Sequence, residues 1–243
     1  EYTADNIIIA TGSESKSLPI EELDAEMVCD STWLLNTDTL PKRICIVGAG
    51  VIGMEFASIL NSFGCEVCVV EFLKECLPAL DCDIAKRLRK CLEKRGVSFY
   101  MQSALKSAAN GKVAFEKKGK LTEIEADKVL LAVGRKPNTE GLGLENVGIA
   151  FDSKGITVDD NMLTSVPHVY AVGDVNGRQM LAHAAEMQGK RAVNHILCEA
   201  DGICFDIMPA AIFTNPEAAC VGKTEDQLKA DGTEYICQKH YYR

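Results

Sequence analysis

A strand of apolar residues that runs straight into glycines at fixed spacing leaves a chain few folds to choose from. Arg43-Ile-Cys-Ile-Val-Gly-Ala-Gly-Val-Ile-Gly53 is such a run. Gly48 permits a tight turn, Gly50 lets backbone approach a pyrophosphate, and Gly53 lets the following helix pack closely on the strand. The unpaired N–H groups and positive end of that helix then face the phosphates. Val51, Ile52, Phe56, Ile59 and Leu60 predict its apolar face. Eighteen residues beyond Gly53, Val67-Cys-Val-Val-Glu71 ends in an acid. Glu71 is placed to accept hydrogen bonds from an adenosine ribose, and its charge repels a 2′-phosphate, so the half-site suits NAD rather than NADP. The same glycines could serve a tight turn with no ligand. The strand before, the helix after and the acid at the expected distance favour the dinucleotide.

At 243 residues the chain suits one large or two small domains, and its 47% apolar content is that of a globular protein. No apolar run reaches the roughly 18–20 residues of a membrane span, and no basic-then-apolar leader opens the chain. The net charge of −9 and the lack of a basic patch argue against nucleic acid. Eleven cysteines are an odd number without a disulfide framework. Cys45, Cys68, Cys91 and Cys198 fall within apolar segments and read as free thiols of a reducing compartment. Cys65 and Cys68 form a C-x-x-C on an expected strand, where their side chains point to opposite faces. That arrangement suits neither zinc nor a redox pair, and no metal site is expected.

The chain opens on Asn6-Ile-Ile-Ile-Ala-Thr-Gly-Ser13, which reads as a short buried strand ending in a turn. Residues 41–136 read as a βαβ unit. Gly64 closes the first helix, strand 66–71 follows, and Leu77-Pro-Ala-Leu-Asp81 supplies a turn and N-cap. Helix 82–95 carries Ile84, Leu88, Cys91 and Leu92 on one face. Strand 97–101, an antiparallel ribbon turning at Asn110-Gly111 and Lys117–Lys120, and the apolar strand 129–133 complete it. A second unit, 137–205, holds the strand Val169-Tyr-Ala-Val-Gly-Asp174 and a long helix from Met180 to Glu199. Beyond Phe205 come a strand at 210–214, a helix near 224–230 and a final strand running to Tyr241-Tyr-Arg243. Both ends read as cut within structure.

Three further motifs stand on the second unit and its approach. Val133-Gly-Arg-Lys-Pro-Asn138 is a turn that serves structure and function equally well on its own. Gly173-Asp174 sets a carboxylate at a strand end, for ribityl hydroxyls or simply as a helix cap. Leu181-Ala-His183 opens a helix whose backbone N–H groups and dipole are available to an anionic ring edge, although a lone histidine there is more often structural. In order, the Ala-Thr-Gly segment, the NAD fingerprint, the Val-Gly-Arg-x-Pro-Asn turn and the Tyr-Ala-x-Gly-Asp strand resemble the flavoprotein disulfide reductases with two dinucleotide folds. Met180-Leu-Ala-His-Ala-Ala-Glu-Met-Gln-Gly189, Leu77–Asp81 and Thr214-Asn-Pro-Glu-Ala-Ala-Cys-Val-Gly-Lys-Thr-Glu225 resemble the dihydrolipoamide-oxidising branch of that family.

The resemblance implies an α/β, Rossmann-like FAD/NAD(P)-binding fold with an antiparallel ribbon insertion and a truncated α+β interface domain. Residues 1–35 would be a flavin-domain remnant and linker, and 36–136 the NAD-binding domain. Residues 137–205 would be the second part of the flavin domain, and 206–243 the start of the dimerisation domain. It implies an NAD site at Gly48, Ala49, Gly50, Val51, Ile52, Gly53 and Glu55, with Glu71 on the ribose, Leu105 as an apolar wall and Gly134 near the cofactor. For FAD it implies the backbone of Thr11, Gly12 and Ser13, Asp174 at the ribityl chain, and Met180, Leu181, Ala182 and His183 beneath the isoalloxazine. The implied activity is FAD-mediated electron transfer from dihydrolipoamide to NAD⁺. The implied partners are the lipoyl domain of a 2-oxoacid dehydrogenase or glycine cleavage complex and a second copy in a homodimer. The implied location is cytoplasm or, in a eukaryote, the mitochondrial matrix.

Departures from the family pattern define the rest of the expectation. No first flavin fingerprint precedes Thr11, no two cysteines show the redox-active Cys-x4-Cys spacing, and the catalytic His and Glu have no counterpart. The chain is therefore read as an internal fragment, with an incomplete flavin site and no catalytic residue of its own. Other readings are a relative acting on mercuric ion, coenzyme A disulfide or glutathione, or a non-catalytic NAD-binding module. Glu71 without an arginine pair speaks against an NADPH-linked member.

Overall fold

The computed structural model describes residues 3–20 and 22–241. They divide into two compact units, one of Glu1–Leu18 with Val133–Met208 and one of Pro19–Ala132 with Pro209–Arg243. Among the described residues no helix is long and apolar enough to cross a membrane.

The larger unit is built on a five-stranded sheet ordered Val28–Cys29, Lys128–Leu131, Arg43–Val47, Glu66–Glu71, Ser98–Met101. Every neighbouring pair is parallel. Parallel strands need crossovers, which the helices Val51–Ser62 and Cys82–Lys94 supply. The chain leaves Arg43–Val47 towards Glu66–Glu71 and later returns to its other side with Lys128–Leu131. The end of Arg43–Val47 is thus a topological switch point, where open α/β sheets take their ligands. The core on one face of the sheet joins Ile44, Ile46, Val67, Val69 and Leu130 to Met54, Ala57 and Leu60 of the first helix. Leu88 and Leu92 of the second helix and Ile212 complete it.

The ribbon Ala104–Ala109, Lys112–Lys117, Lys120–Glu125 is antiparallel, with a bulge between Leu105 and Ser107. It turns through Asn110 and Gly111 at φ +54° and +74° and through Lys118 and Gly119 at +50° and +78°. Paired positive φ values are those of type I′ hairpins, hence the glycine in each second place. Phe115 of the ribbon meets Tyr100 of the sheet with ring centroids 4.6 Å apart. In the same unit Ala210–Ile212 pairs antiparallel with Ala218–Cys220, and Thr224 opens the helix Glu225–Ala230 with a capping box to Gln227.

The smaller unit has little continuous sheet. Ile7–Ile9 pairs parallel with Val169–Ala171, Ser13–Ser15 antiparallel with Arg135–Pro137, and Phe151–Asp152 with Gly155–Ile156. The helix Ala182–Ile196 turns Ala184, Gln188 and Ala192 inward.

Several expectations are corrected. The strand at Ile7–Ile9 is not buried: Ile7 and Ile8 are exposed, because a two-stranded pairing covers one edge and leaves a face open. The first crossover helix buries Gly53, Met54, Ala57, Ser58 and Leu60, while Val51 and Ile59 face outward. That helix is apolar nearly all round, so periodicity alone does not choose its inner face. Ile84 of the second helix is exposed and Ala85 is buried in its stead. Asp81 occupies the N-cap position, yet its Oδ1 accepts from the Glu225 N–H (2.8 Å) rather than from its own helix. Residues 233–241 form no strand, and Tyr242 and Arg243 lie outside the described residues.

All eleven cysteines are free. Cys45 and Cys68 face each other across neighbouring strands, and this contact together with burial pushes the Cys45 thiol well up. Burial raises Cys29 to about 11 and Cys76 to about 12. Cys198 is exposed rather than set in an apolar segment, in a left-handed conformation just past its helix. Since the thiolate is the nucleophile, iodoacetamide at about pH 8 should label Cys82, Cys198, Cys204 and Cys237 in the native chain. Cys29, Cys45 and Cys76 should react only after denaturation, and equal labelling of both sets by mass spectrometry would contradict the packing.

Candidate functional site

The glycine loop sits at the sheet's switch point. Gly48 takes φ +104° and donates its N–H to Val70 O (2.9 Å), which continues the strand register Val47↔Val70 into the loop. Gly50 is the helix N-cap, with extended backbone and no side chain to satisfy the first-turn amides. A Cβ on Gly50 would meet nothing within 4 Å, so this is open ground for a ligand. At Gly53 the opposite holds: a Cβ would lie 2.0 Å from Gly48 O and 3.3 Å from Ile46 Cγ2. The helix crosses its own loop with no room for a methyl group.

Glu71 closes the loop from the next strand. Its side chain is buried, Oε2 accepting from the Ala49 N–H (2.5 Å) and Oε1 from the Leu73 N–H (2.7 Å). The carboxylate therefore braces the glycine loop itself. Each carboxylate oxygen has a second lone pair, so acceptor capacity remains for ribose hydroxyls. Ala49 O in turn accepts from Leu77 N (2.9 Å), which explains the Leu-Pro-Ala-Leu turn: Leu77 is buried at φ +49° against the loop.

Ala49 is fully buried, Ile52 half-buried and Val51 exposed. Glu55, one turn into the helix, has its Oε1 bound by the Phe213 N–H (2.8 Å). Asn215 N reaches Ser58 Oγ (2.9 Å) on the same helix face. Leu105 is buried on the ribbon opposite Phe115. All these residues belong to the larger unit, whereas Gly134, expected near the same cofactor, belongs to the smaller one. There its carbonyl accepts from Lys16 N (3.0 Å).

The smaller unit gathers the residues expected at a flavin. Thr11 and Gly12 are laced to Asn138: Thr11 Oγ1 donates to Asn138 O (2.7 Å), Asn138 N to Gly12 O (2.9 Å) and Asn138 Nδ2 to Thr11 O (3.0 Å). Ser13 Oγ donates to Asp174 Oδ2 (2.5 Å). Asp174 rides on a 3₁₀ turn, Gly173–Asn176, pinned from behind by Gln188, whose Oε1 accepts from Gly173 N and Asn176 Nδ2, both at 2.7 Å. Leu181 caps the helix Ala182–Ile196 with no side-chain bond, and Ala182 and His183 at its start are exposed. Met180 lines a cavity of about 600 Å³ with Glu14 and the four cations Lys16, Arg135, Lys136 and Lys154. An uncapped helix end, an acceptor carboxylate and basic walls fit a ligand with hydroxyls and anionic groups.

Asn138, Asn176 and Gln188 have no assigned part in the sequence-based expectation. Gln188 did leave a signal, as the single polar residue in the inward stripe Ala184, Gln188, Ala192. Asn138 stands within the quoted turn, but nothing local says that it reaches back more than a hundred residues to Thr11.

Residues 1–189 match a family profile described as pyridine nucleotide-disulphide oxidoreductase. Leghemoglobin reductase of Glycine max is 41% identical over 237 residues, 95% of this chain and 45% of that protein. Mitochondrial dihydrolipoyl dehydrogenase of Pisum sativum is 41% identical over 237 residues, 95% of this chain and 47% of its own. The structure of the HOCl-induced flavoprotein disulfide reductase RclA from Escherichia coli superposes with a TM-score of 0.83 at 31% identity, covering 94% of this chain and 54% of that one. The chain spans about half the length of the curated relatives it matches.

Gly53→Ala tests the loop geometry. The 2.0 Å approach forces helix and loop apart, so we expect a loss of about 1–3 kcal/mol in denaturant unfolding. Gly50→Ala has space for its methyl group and should fold normally. Equal stability of the two variants would contradict the close crossing.

Proposed function

The chain belongs to the pyridine nucleotide-disulphide oxidoreductase family, and we propose that it carries the NAD site and part of the flavin site of a dihydrolipoyl dehydrogenase. FAD and NAD are the cofactors of this family. The observation that carries the choice of NAD is the buried Glu71 carboxylate, held against Ala49 at the mouth of the loop. An anion fixed there disfavours a 2′-phosphate and favours a free ribose diol.

Within this reading residues 36–136 are the NAD-binding domain, 137–205 are the second part of the flavin domain, and 1–35 are a flavin-domain remnant and a linker whose Val28–Cys29 strand joins the sheet of the larger unit. Residues 206–243 begin the dimerisation domain. Ala49 to Gly53 hold the pyrophosphate through backbone N–H groups, and Leu105 walls the adenine. Glu55, its carboxylate held by the Phe213 N–H, is assigned to the nicotinamide end of the cofactor, and Gly134 is assigned to cofactor binding from the family resemblance alone. Thr11, Gly12 and Ser13 line the flavin chain, Asp174 accepts from its ribityl hydroxyls, and Met180 to His183 underlie its ring. When bound, the two cofactors supply the hydride chemistry; these residues orient them and exclude water. Reduction by dihydrolipoamide needs a cysteine pair and a His base, and we assign both to the part of the relatives' length that this chain does not span. The proposed partners are a lipoyl domain of a 2-oxoacid dehydrogenase or glycine cleavage complex and a second copy of the protein. The proposed location is cytoplasm or mitochondrial matrix.

Calorimetric titration with NADH and NADPH tests the cofactor assignment. NADH should bind at least about tenfold more tightly, equivalent to about 1.4 kcal/mol, and Glu71→Ala should narrow that gap. NADPH binding as tightly as NADH to the unaltered chain would overturn the assignment.

A further inference from the structure

We propose that Ser13 and Arg135 are positioning residues for Asp174, fixing its carboxylate so that Oδ1, to which no described residue donates, is presented to a hydroxyl of a bound polyol. The proposal rests on the flavin-site reading for the identity of that ligand, though not for the relay itself.

The direction of the relay follows from the donors. A guanidinium can only donate. Arg135 Nε lies 2.7 Å from Ser13 Oγ, so the serine oxygen is the acceptor there. The hydroxyl proton is then free to point at one partner, Asp174 Oδ2, 2.5 Å away. Arg135 Nη2 also donates to Ser13 O (2.6 Å), so the guanidinium grips both ends of one residue. The strand pairing Pro137↔Ser13 and Arg135↔Ser15 holds these groups in register. Arg135 Nε stands 3.8 Å from Asp174 Oδ2, near enough to offset its charge without bonding to it directly.

The backbone beneath Asp174 is fixed as well. Gln188, fully buried, takes the Gly173 N–H and an Asn176 amide proton, and Asn176 Nδ2 also reaches Ala171 O (2.9 Å). Asp174 is thus immobilised from the turn below and from the Ser13 side, while its side chain keeps 26% of its surface open. Oδ2 already accepts from Ser13 and keeps one lone pair, while no hydrogen bond from a described residue reaches Oδ1, so Oδ1 has the greater free acceptor capacity. An acceptor so presented selects a hydroxyl donor, such as a sugar-alcohol chain. Ser13 Oγ–H is committed to Asp174 and so acts on the ligand through it, not as a ligand donor itself.

NMR on the isotope-labelled chain tests both parts. In the cofactor-free chain the Arg135 Nε–H should exchange slowly with water. Ser13→Ala should abolish that protection, and Asp174→Ala should retain it, because the serine oxygen still accepts. Fast exchange in the unaltered chain, or equal loss in both variants, would overturn the relay. Titration with FAD, which NMR follows down to millimolar affinity, tests its use. Ser13→Ala should weaken binding about tenfold, the worth of one ordinary hydrogen bond to a charged group. Ser13→Thr should restore it, and Ser13→Ala should have no further effect in an Asp174→Ala background. Additive losses would mean a merely structural serine and would overturn the positioning role. Absence of any FAD-induced shift at Asp174 would sink the flavin reading, and the relay would then stand or fall on the exchange result.

Discussion

The larger unit depends on a carboxylate buried beside a loop that has no side chains of its own. Glu71 ends one strand, Gly48 begins the loop after its neighbour, and the parallel register Val47↔Val70 brings the two together. Once there, Glu71 supplies acceptors to the Ala49 and Leu73 amides; the buried Ala49 amide left unpaired would cost about 1–3 kcal/mol. The loop is therefore shaped before any ligand arrives. Preorganisation of this kind lowers the ordering cost of binding. In the proposed NAD site the same acid that stiffens the loop also sets the charge that a ribose substituent would meet, so stability and specificity share one residue.

The smaller unit uses side chains where the larger one uses sheet. Its strand pairs are only two or three residues long, and isolated two-stranded pairs are weak. Asn138 lacing Thr11 and Gly12, Arg135 gripping Ser13, and Gln188 pinning the Gly173–Asn176 turn take over the task of fixing backbone. Buried amides with all partners satisfied specify one arrangement more sharply than apolar contacts do. The residues proposed to line the flavin are ordered by that network.

What could be read in the sequence was local or periodic. The strand Glu66–Glu71 and both ribbon turns stand where apolar runs and Asn-Gly and Lys-Gly pairs put them. The fold class and family were legible because glycine spacing encodes backbone geometry directly. The inner face of Val51–Ser62 was not, since Val51, Ile52, Met54, Ile59 and Leu60 ring that helix. Asp81 bonding Glu225 and Phe213 bonding Glu55 were also out of reach, because each joins residues more than a hundred positions apart. Tertiary partners of caps and acids carry no sequence period.

Hydrogen exchange followed by mass spectrometry, with and without NADH, bears most directly on the claim that the braced glycine loop is the nucleotide site. Protection is expected in the peptides spanning 47–53 and 71–77, with none of comparable size in 173–188. Protection confined to 173–188, or spread evenly over the chain, would contradict it.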